Sequence, residues 1–249
     1  MSTAPAAPSP EPPLSEIARI VDTFVAPSKT FADLKRNASW WAPFVLVAIA
    51  SYILVGVAAQ KVGWEQIVEN EVKLSPKRAA QIESRPAEQR AQAIAQAVTI
   101  TKIISYGIPL VNLAVLAIIA AVLMASFNFG AGAEISYKIS LAVVMYASLP
   151  GILKALLAAG SILAGLNPET FNFQNPVATN PGYFMDAAVS PALYILASGL
   201  DVIILWTLAL TAIGFSAVSK LKRGTTFAVV FGWYVLVLLM RAGFTAAFA

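Results

Sequence analysis

The feature that most constrains the fold is a series of long apolar stretches that are almost free of charged residues. Residues 41–59 and 103–129 contain no charge, while 139–163, 189–218 and 225–244 contain one each. About 20 mostly apolar residues suffice for a helix to cross the hydrocarbon core of a bilayer. Only 12% of the residues are charged, against about 25% in soluble domains. The sequence therefore predicts an all-α integral membrane bundle of five transmembrane helices over residues 40–246.

Two segments precede this bundle. Residues 1–13 are rich in proline and alanine and contain no apolar run, which predicts a disordered cytoplasmic tail. Residues 14–39 follow with apolar side chains at broadly helical spacing, which predicts an amphipathic helix lying at the membrane interface. A plain surface helix is the alternative for this segment.

Basic residues in short loops predict the orientation, because they are retained on the cytoplasmic side. The short turn that contains Lys220, Lys222 and Arg223 is strongly basic, and the polar loop at 167–187 has no Lys or Arg. Both observations place the N-terminus in the cytoplasm and the C-terminus outside. The segment 60–102 argues the other way, because it carries seven Lys or Arg residues on the predicted outer side.

Lys154, Asp201 and Arg241 are the ionisable residues inside the predicted spans. Each lies 16 to 19 residues from the nearest cytoplasmic charge along the chain, which is roughly 24–28 Å at the rise of an α-helix. All three therefore fall in one layer. Since a charge in the membrane is costly unless paired or hydrated, we expect Asp201 to pair with Lys154, with Arg241 or with both. In the alternative, the two cations snorkel to the outer headgroups and Asp201 meets water.

Three residues are candidates for breaks in the spans. Pro150 and Gly151 precede Lys154 by one turn, and Pro109 lies in the second span; proline removes a backbone donor and can kink a helix. Gly151 also begins a four-residue ladder with Ala155 and Ala159, which is typical of close helix packing.

Enzyme signatures are absent from the sequence. With no histidine and no cysteine, the chain lacks the usual imidazole bases, thiol nucleophiles and zinc ligands, and no nucleotide-binding or hydrolase motif is found. We therefore expect no catalytic, cofactor-binding or metal-binding residues and no enzymatic activity. No concentrated basic stripe indicates nucleic-acid binding.

The order of several short motifs resembles a known family. Pro27, Thr30 and Phe31 precede Trp41 and Pro43 at the first span. Further along lie Tyr146 and Pro150 in the third span, and Asp201, Trp206 and Gly214 in the fourth. This arrangement resembles the bacterial branch of the Yip family, the Ypt/Rab-interacting membrane proteins, over residues 20–245. The resemblance implies a five-helix membrane domain with a cytoplasmic N-terminus, in a family whose eukaryotic members associate with small GTPases in vesicle traffic. The family's Asp-Leu-Tyr-Gly-Pro motif is absent here.

Two functional hypotheses follow. The first is a non-enzymatic scaffold or adaptor in the cytoplasmic (inner) membrane, whose partners are the lipid bilayer and another membrane or cytoplasmic protein. The second is a small solute or ion transporter or channel that uses the layer of Lys154, Asp201 and Arg241. An intramembrane hydrolase, a third option, lacks a nucleophile and base in reach of each other. The sequence determines neither the partner, nor the substrate, nor the oligomeric state.

Overall fold

The computed structural model describes residues 12–74, 76–187 and 189–248, and the chain over these ranges is helical without any strand. The predicted tail at 1–13 lies outside the described residues except for its last two. The helices, in chain order, are α1 (Glu16–Val25), α2 (Pro27–Asp33), α3 (Trp41–Lys61), α4 (Trp64–Lys73), α5 (Pro76–Glu83), α6 (Ala87–Ala131), α7 (Tyr137–Ala147), α8 (Pro150–Leu163), α9 (Pro191–Gly199), α10 (Val202–Val218) and α11 (Arg223–Phe248).

Four or five membrane spans account for the apolar stretches in the described part of the chain. Helices α3, α6 and α11 and the α7–α8 pair are each long and apolar enough to cross a membrane. Helices α9 and α10, which meet at a bend of 51° at residues 200 and 201, add a fifth span if the bent pair crosses as one. This confirms the predicted helical membrane bundle. The predicted spans at 41–59, 103–129, 139–163, 189–218 and 225–244 fall on these helices in order, and α6 extends far beyond its span toward the N-terminus.

Helix α7 lies at the centre of the bundle. Every residue from Ser140 to Ala147 is buried, and α7 packs against α6 and α10. The outer helices instead expose apolar side chains; α11, for example, exposes Leu236, Leu239 and Met240. Lipid is as apolar as these side chains, so a membrane bundle does not need to bury them. The sequence of α7 is accordingly the one that close packing constrains most.

The predicted break points behave differently from one another. Helix α7 ends at Ala147 and α8 begins at Pro150, so the third span is interrupted there. Pro109 is buried within α6, which continues from Ala87 to Ala131. A Cβ added at Gly151 would meet no atom within 4 Å. The expectation that Gly151 provides close helix contact was therefore wrong.

Helices α1 and α2 form an N-terminal hairpin that packs on the bundle. Helix α2 packs against α10, and α1 against α2 and α7. Phe31 and Leu34 are fully buried. The outward face of α1 exposes Ile17, Val21 and Val25, by 75%, 53% and 74%.

Side-chain hydrogen bonds show which connecting segments share an end of the bundle. The Arg223 side chain lies 3.4 Å from Ser28 Oγ, so the hairpin and the basic turn lie at one end. Asn70 on α4 donates to the carbonyl oxygens of Pro168 and Phe171 at 2.8 and 2.9 Å. The disputed segment 60–102 and the polar loop therefore meet at the other end.

Candidate functional site

Asp201 stands at the break between α9 and α10 and caps the second helix. Its Oδ1 accepts hydrogen bonds from the backbone N–H groups of Ile203 and Ile204, at 2.9 and 3.2 Å. The first N–H groups of a helix have no partner within the helix, and inside a membrane water cannot supply one. A carboxylate satisfies these donors and favours the positive end of the helix dipole, so Asp201 allows a span to be broken at this depth.

The other carboxylate oxygen of Asp201 binds three side chains. Lys154 Nζ lies 2.8 Å away, Thr179 Oγ1 donates at 2.6 Å, and Asn180 Nδ2 donates at 3.2 Å. Asp201 is fully buried, and 23% of the Lys154 side chain is exposed. We call Lys154, Thr179, Asn180 and Asp201 the Asp201 cluster. A buried ion pair is stable only when further hydrogen bonds satisfy the carboxylate, and this one meets that condition.

Side chains of the polar loop extend the cluster into an amide network. Asn175 and Asn180 exchange two hydrogen bonds of 3.1 and 2.7 Å through their side-chain amides. Gly182 approaches α9 so closely that a Cβ added there would lie 2.7 Å from the backbone nitrogen of Ser198. The loop therefore packs into the bundle. The sequence indicated a polar loop at 167–187 but did not place these asparagines beside Asp201. The absence of Lys and Arg from this loop is the signal that could have indicated a buried position.

Tyr234 on α11 stabilises the C-terminal end of α9, the helix that precedes the break. Its hydroxyl donates to the carbonyl oxygen of Gly199, the last residue of α9, at 2.6 Å. Gly199 also permits close approach, since a Cβ there would lie 2.6 Å from a methyl carbon of Leu238. Asp201 therefore holds the start of α10 and Tyr234 the end of α9, and of these two side chains the sequence pattern singled out Asp201 alone.

Arg241 lies apart from the ion pair but lines the same cavity as Lys154. This cavity has a volume of about 490 Å³ and lies between α8, α9, α11 and the polar loop. Among the described residues Arg241 forms no ion pair with Asp201 or any other carboxylate within 4.0 Å. Of the three charges predicted to share a layer, the structure brings Lys154 and Asp201 into contact and leaves Arg241 in the neighbouring wall.

A second buried ion pair lies in the N-terminal hairpin, and sequence analysis did not anticipate it. Arg19 is fully buried, and its Nε and Nη2 lie 2.8 and 2.7 Å from Asp33 Oδ2. Glu16 contacts Arg19 and accepts a hydrogen bond from the hydroxyl of Tyr146 on α7. Burial lowers the pKa of Arg19, but the hydrogen bond and charge of Asp33 outweigh it and raise the pKa overall. We call Glu16, Arg19, Asp33 and Tyr146 the hairpin cluster.

Several residues of the family-like motif surround this hairpin. Thr30 donates to the carbonyl oxygen of Arg19 at 3.0 Å, and Trp206 makes an edge-to-face contact with Phe24 at 5.6 Å. A Cβ added at Gly214 would lie 3.0 Å from the Phe31 ring. Tyr146 and Asp201 of the motif belong to the two clusters described above. The other motif residues lie at helix starts: Pro27 begins α2, exposed Trp41 begins α3 with Pro43 buried in its first turn, and Pro150 begins α8.

The comparisons with known proteins give one family. The family described as the Yip1 domain matches residues 21–243, which is most of the chain and nearly the range over which the motifs were noted. The resemblance predicted from the sequence is confirmed. No curated protein and no solved structure matches the chain.

Proposed function

We propose that this chain, which belongs to the Yip1 domain family, is a non-enzymatic scaffold or adaptor of the cytoplasmic membrane. The observation that carries the proposal is the N-terminal hairpin. Its two helices are joined by the buried Arg19–Asp33 pair, and the hydrogen bond from Tyr146 to Glu16 and the buried Phe31 attach it to the bundle. Helix α1 meanwhile presents Ile17, Val21 and Val25 outward. These residues follow one another at intervals of four, so they form one stripe along the helix. A rigidly held apolar stripe is suited to bind a helix of another protein.

The buried acidic residues favour a structural role over catalysis. Asp33 and Asp201 are the buried carboxylates in the described part of the chain, and each is held in an ion pair. A general acid or base must exchange a proton with its substrate. Two carboxylates already bound to cations and hydrogen-bond donors are poorly suited to do so.

The hydrogen bonds of Asp201 also disfavour the alternative, a small transporter or channel. Asp201 accepts five hydrogen bonds, two from the backbone of α10 and three from side chains. Because the same carboxylate caps α10, any movement of Asp201 during transport would break the cap as well as the ion pair. This favours a structural role for Asp201, although the adjacent cavity has room for a bound molecule.

We propose further that the N-terminus and the basic turn face the cytoplasm and the C-terminus lies outside. In support, the basic turn and the hairpin, with its Lys29 and Lys35, occupy one end of the bundle. With the N-terminus inside, α4 and the polar loop lie at the outer end, because they follow the first and the third span. The adaptor stripe on α1 would face cytoplasmic or membrane partners.

The adaptor proposal is tested by crosslinking in the membrane, purification in mild detergent and identification of what co-purifies. Deleting the hairpin would remove core residues Phe31 and Leu34, so the informative variant is Ile17→Ser, Val21→Ser, Val25→Ser, which alters exposed side chains alone. The control is Ile100→Ser on the exposed part of α6, where Ile100 is 57% exposed. We expect a near-stoichiometric partner that is lost in the triple variant and retained in the control. Absence of any partner, or equal loss in both variants, would contradict the proposal.

A further inference from the structure

The cavity beside the Asp201 cluster has a polar wall and an apolar wall. Lys154, Asn175 and Arg241 contribute to the polar wall. The apolar wall is formed largely by α9, α10 and α11, and includes Tyr194, Ile204, Val237 and Leu238. A volume of about 490 Å³ lies within the range of small-molecule binding sites. The volume and lining suit an amphiphile, a molecule with a polar head and an apolar body.

The charges of the cavity favour a negatively charged head. Lys154 is neutralised by Asp201 at 2.8 Å. Arg241 is exposed and, in the part of the chain that the structure describes, has no carboxylate within ion-pair distance. Glu71 of α4 also lines the cavity, and it has an interaction of its own. The guanidinium of Arg241 is thus the cation that a ligand can reach.

The position of Arg241 points to the bilayer as the source of that ligand. Arg241 follows Arg223, the first residue of α11, by 18 residues, which is roughly 27 Å along the helix, so it lies near the far surface of the hydrocarbon layer. Phospholipid phosphates occupy that depth, and guanidinium binds phosphate through two parallel hydrogen bonds. One turn before Arg241, Val237 lines the cavity and is 44% exposed, so the apolar wall continues onto the surface that contacts lipid.

We propose that the cavity binds an anionic phospholipid, with its phosphate on Arg241 and the upper part of its acyl chains against Val237, Leu238 and Tyr194. Lys154 lies in the same wall and adds a second donor while it remains paired with Asp201. The site is at the end of the bundle opposite the hairpin, so it stands whether or not the adaptor proposal holds.

The test uses the full chain, reconstituted in phosphatidylcholine nanodiscs that contain a small fraction of phosphatidylglycerol. Bound lipid is counted by native mass spectrometry after release from the disc. We expect the wild type to retain phosphatidylglycerol in preference to phosphatidylcholine, and Arg241→Gln to weaken this retention about tenfold, as loss of a charge-assisted hydrogen bond implies. Lys220→Gln, which removes an exposed cation from the basic turn, is the matched control and should retain the lipid as the wild type does.

Arg241→Lys separates charge from geometry. Lysine keeps the positive charge but lacks the planar fork of donors, so its retention should fall between those of the wild type and Arg241→Gln. Equal retention in the wild type and both Arg241 variants would overturn the proposal. So would equal retention of the two lipids, or displacement of phosphatidylglycerol by millimolar inorganic phosphate, which would indicate a site for a free anion.

Discussion

At the scale of single residues, Asp201 connects two requirements of a broken span. One carboxylate oxygen caps α10, and the other holds the ammonium group of Lys154. Removing either charged partner leaves the other uncompensated in a low-dielectric environment, which costs about 3–5 kcal/mol for a buried pair. Removing both charges while keeping the N-cap of α10 should lower the free energy of unfolding much less.

We therefore predict that Lys154→Met and Asp201→Asn each lower the free energy of unfolding in detergent by about 3–5 kcal/mol, and that the double variant recovers most of the loss. Asparagine preserves the capping oxygen, because it is as good an N-cap as aspartate. Thermal unfolding midpoints and purification yields measure the effect, with Glu169→Gln on the exposed polar loop as control. If the losses of the two single variants simply add in the double variant, the pair contributes no coupling energy.

Sequence reasoning found the ion pair but not its surroundings, for a physical reason. A charge inside an apolar window stands out because membrane burial is costly, so Lys154 and Asp201 could be predicted to meet. Asn175 and Asn180 lie in a segment of ordinary loop composition, and composition does not reveal that a loop folds back into the bundle. The burial of Arg19 was not predicted, because the amphipathic pattern of a helix is the same whether the helix contacts lipid headgroups or packs on protein.

At the scale of the elements, the docking of α2 on α10 depends on Gly214. A Cβ at this position would lie 2.5 Å from Val143 Cγ1 and 3.0 Å from the Phe31 ring, and both side chains are fully buried. The two helices and α7 therefore meet at a point where no side chain fits. Sequence analysis singled out Gly214 for its place in the motif and Gly151 for its ladder, and only the former provides close contact.

We predict opposite effects for alanine at the two glycines. Gly214→Ala should destabilise the protein by about 1–3 kcal/mol through overpacking. It should also increase protease cleavage at the exposed Lys35 and Arg36, which come just after Leu34, the C-cap of α2. Gly151→Ala meets no neighbour and gains about 0.5–1 kcal/mol of helix stability. Thermal unfolding and limited trypsin digestion measure both effects. Equal destabilisation by the two substitutions would contradict the packing described for α2.

At the scale of the whole molecule, the segments that connect the spans lie in two groups, one at each end of the bundle. The hairpin and the basic turn share one end, and α4 and the polar loop share the other. Hydropathy predicted a helical membrane bundle because each span requires its own apolar stretch, and four to five candidate spans are found in the residues that the structure describes. It could not assign the segment 60–102 to a side, since its basic residues oppose the orientation that the other loops indicate. The hydrogen bonds of Asn70 link this segment to the polar loop, and this link makes a topological prediction.

The prediction concerns single cysteines introduced at Gln89, Glu169 and Lys222, which are exposed in a chain that otherwise has no cysteine. In intact cells, a membrane-impermeant maleimide should label the variants Gln89→Cys and Glu169→Cys, because α4 and the polar loop share the outer end. It should label Lys222→Cys only after the membrane is opened. This outcome would mean that the seven basic residues in 60–102 are tolerated outside. If positions 89 and 222 become labelled together, α6 and the basic turn share a side, and the five-span arrangement is wrong. If position 222 alone is labelled in intact cells, the five spans stand, but the basic turn and the N-terminal hairpin face outward, and the adaptor stripe cannot reach a cytoplasmic partner.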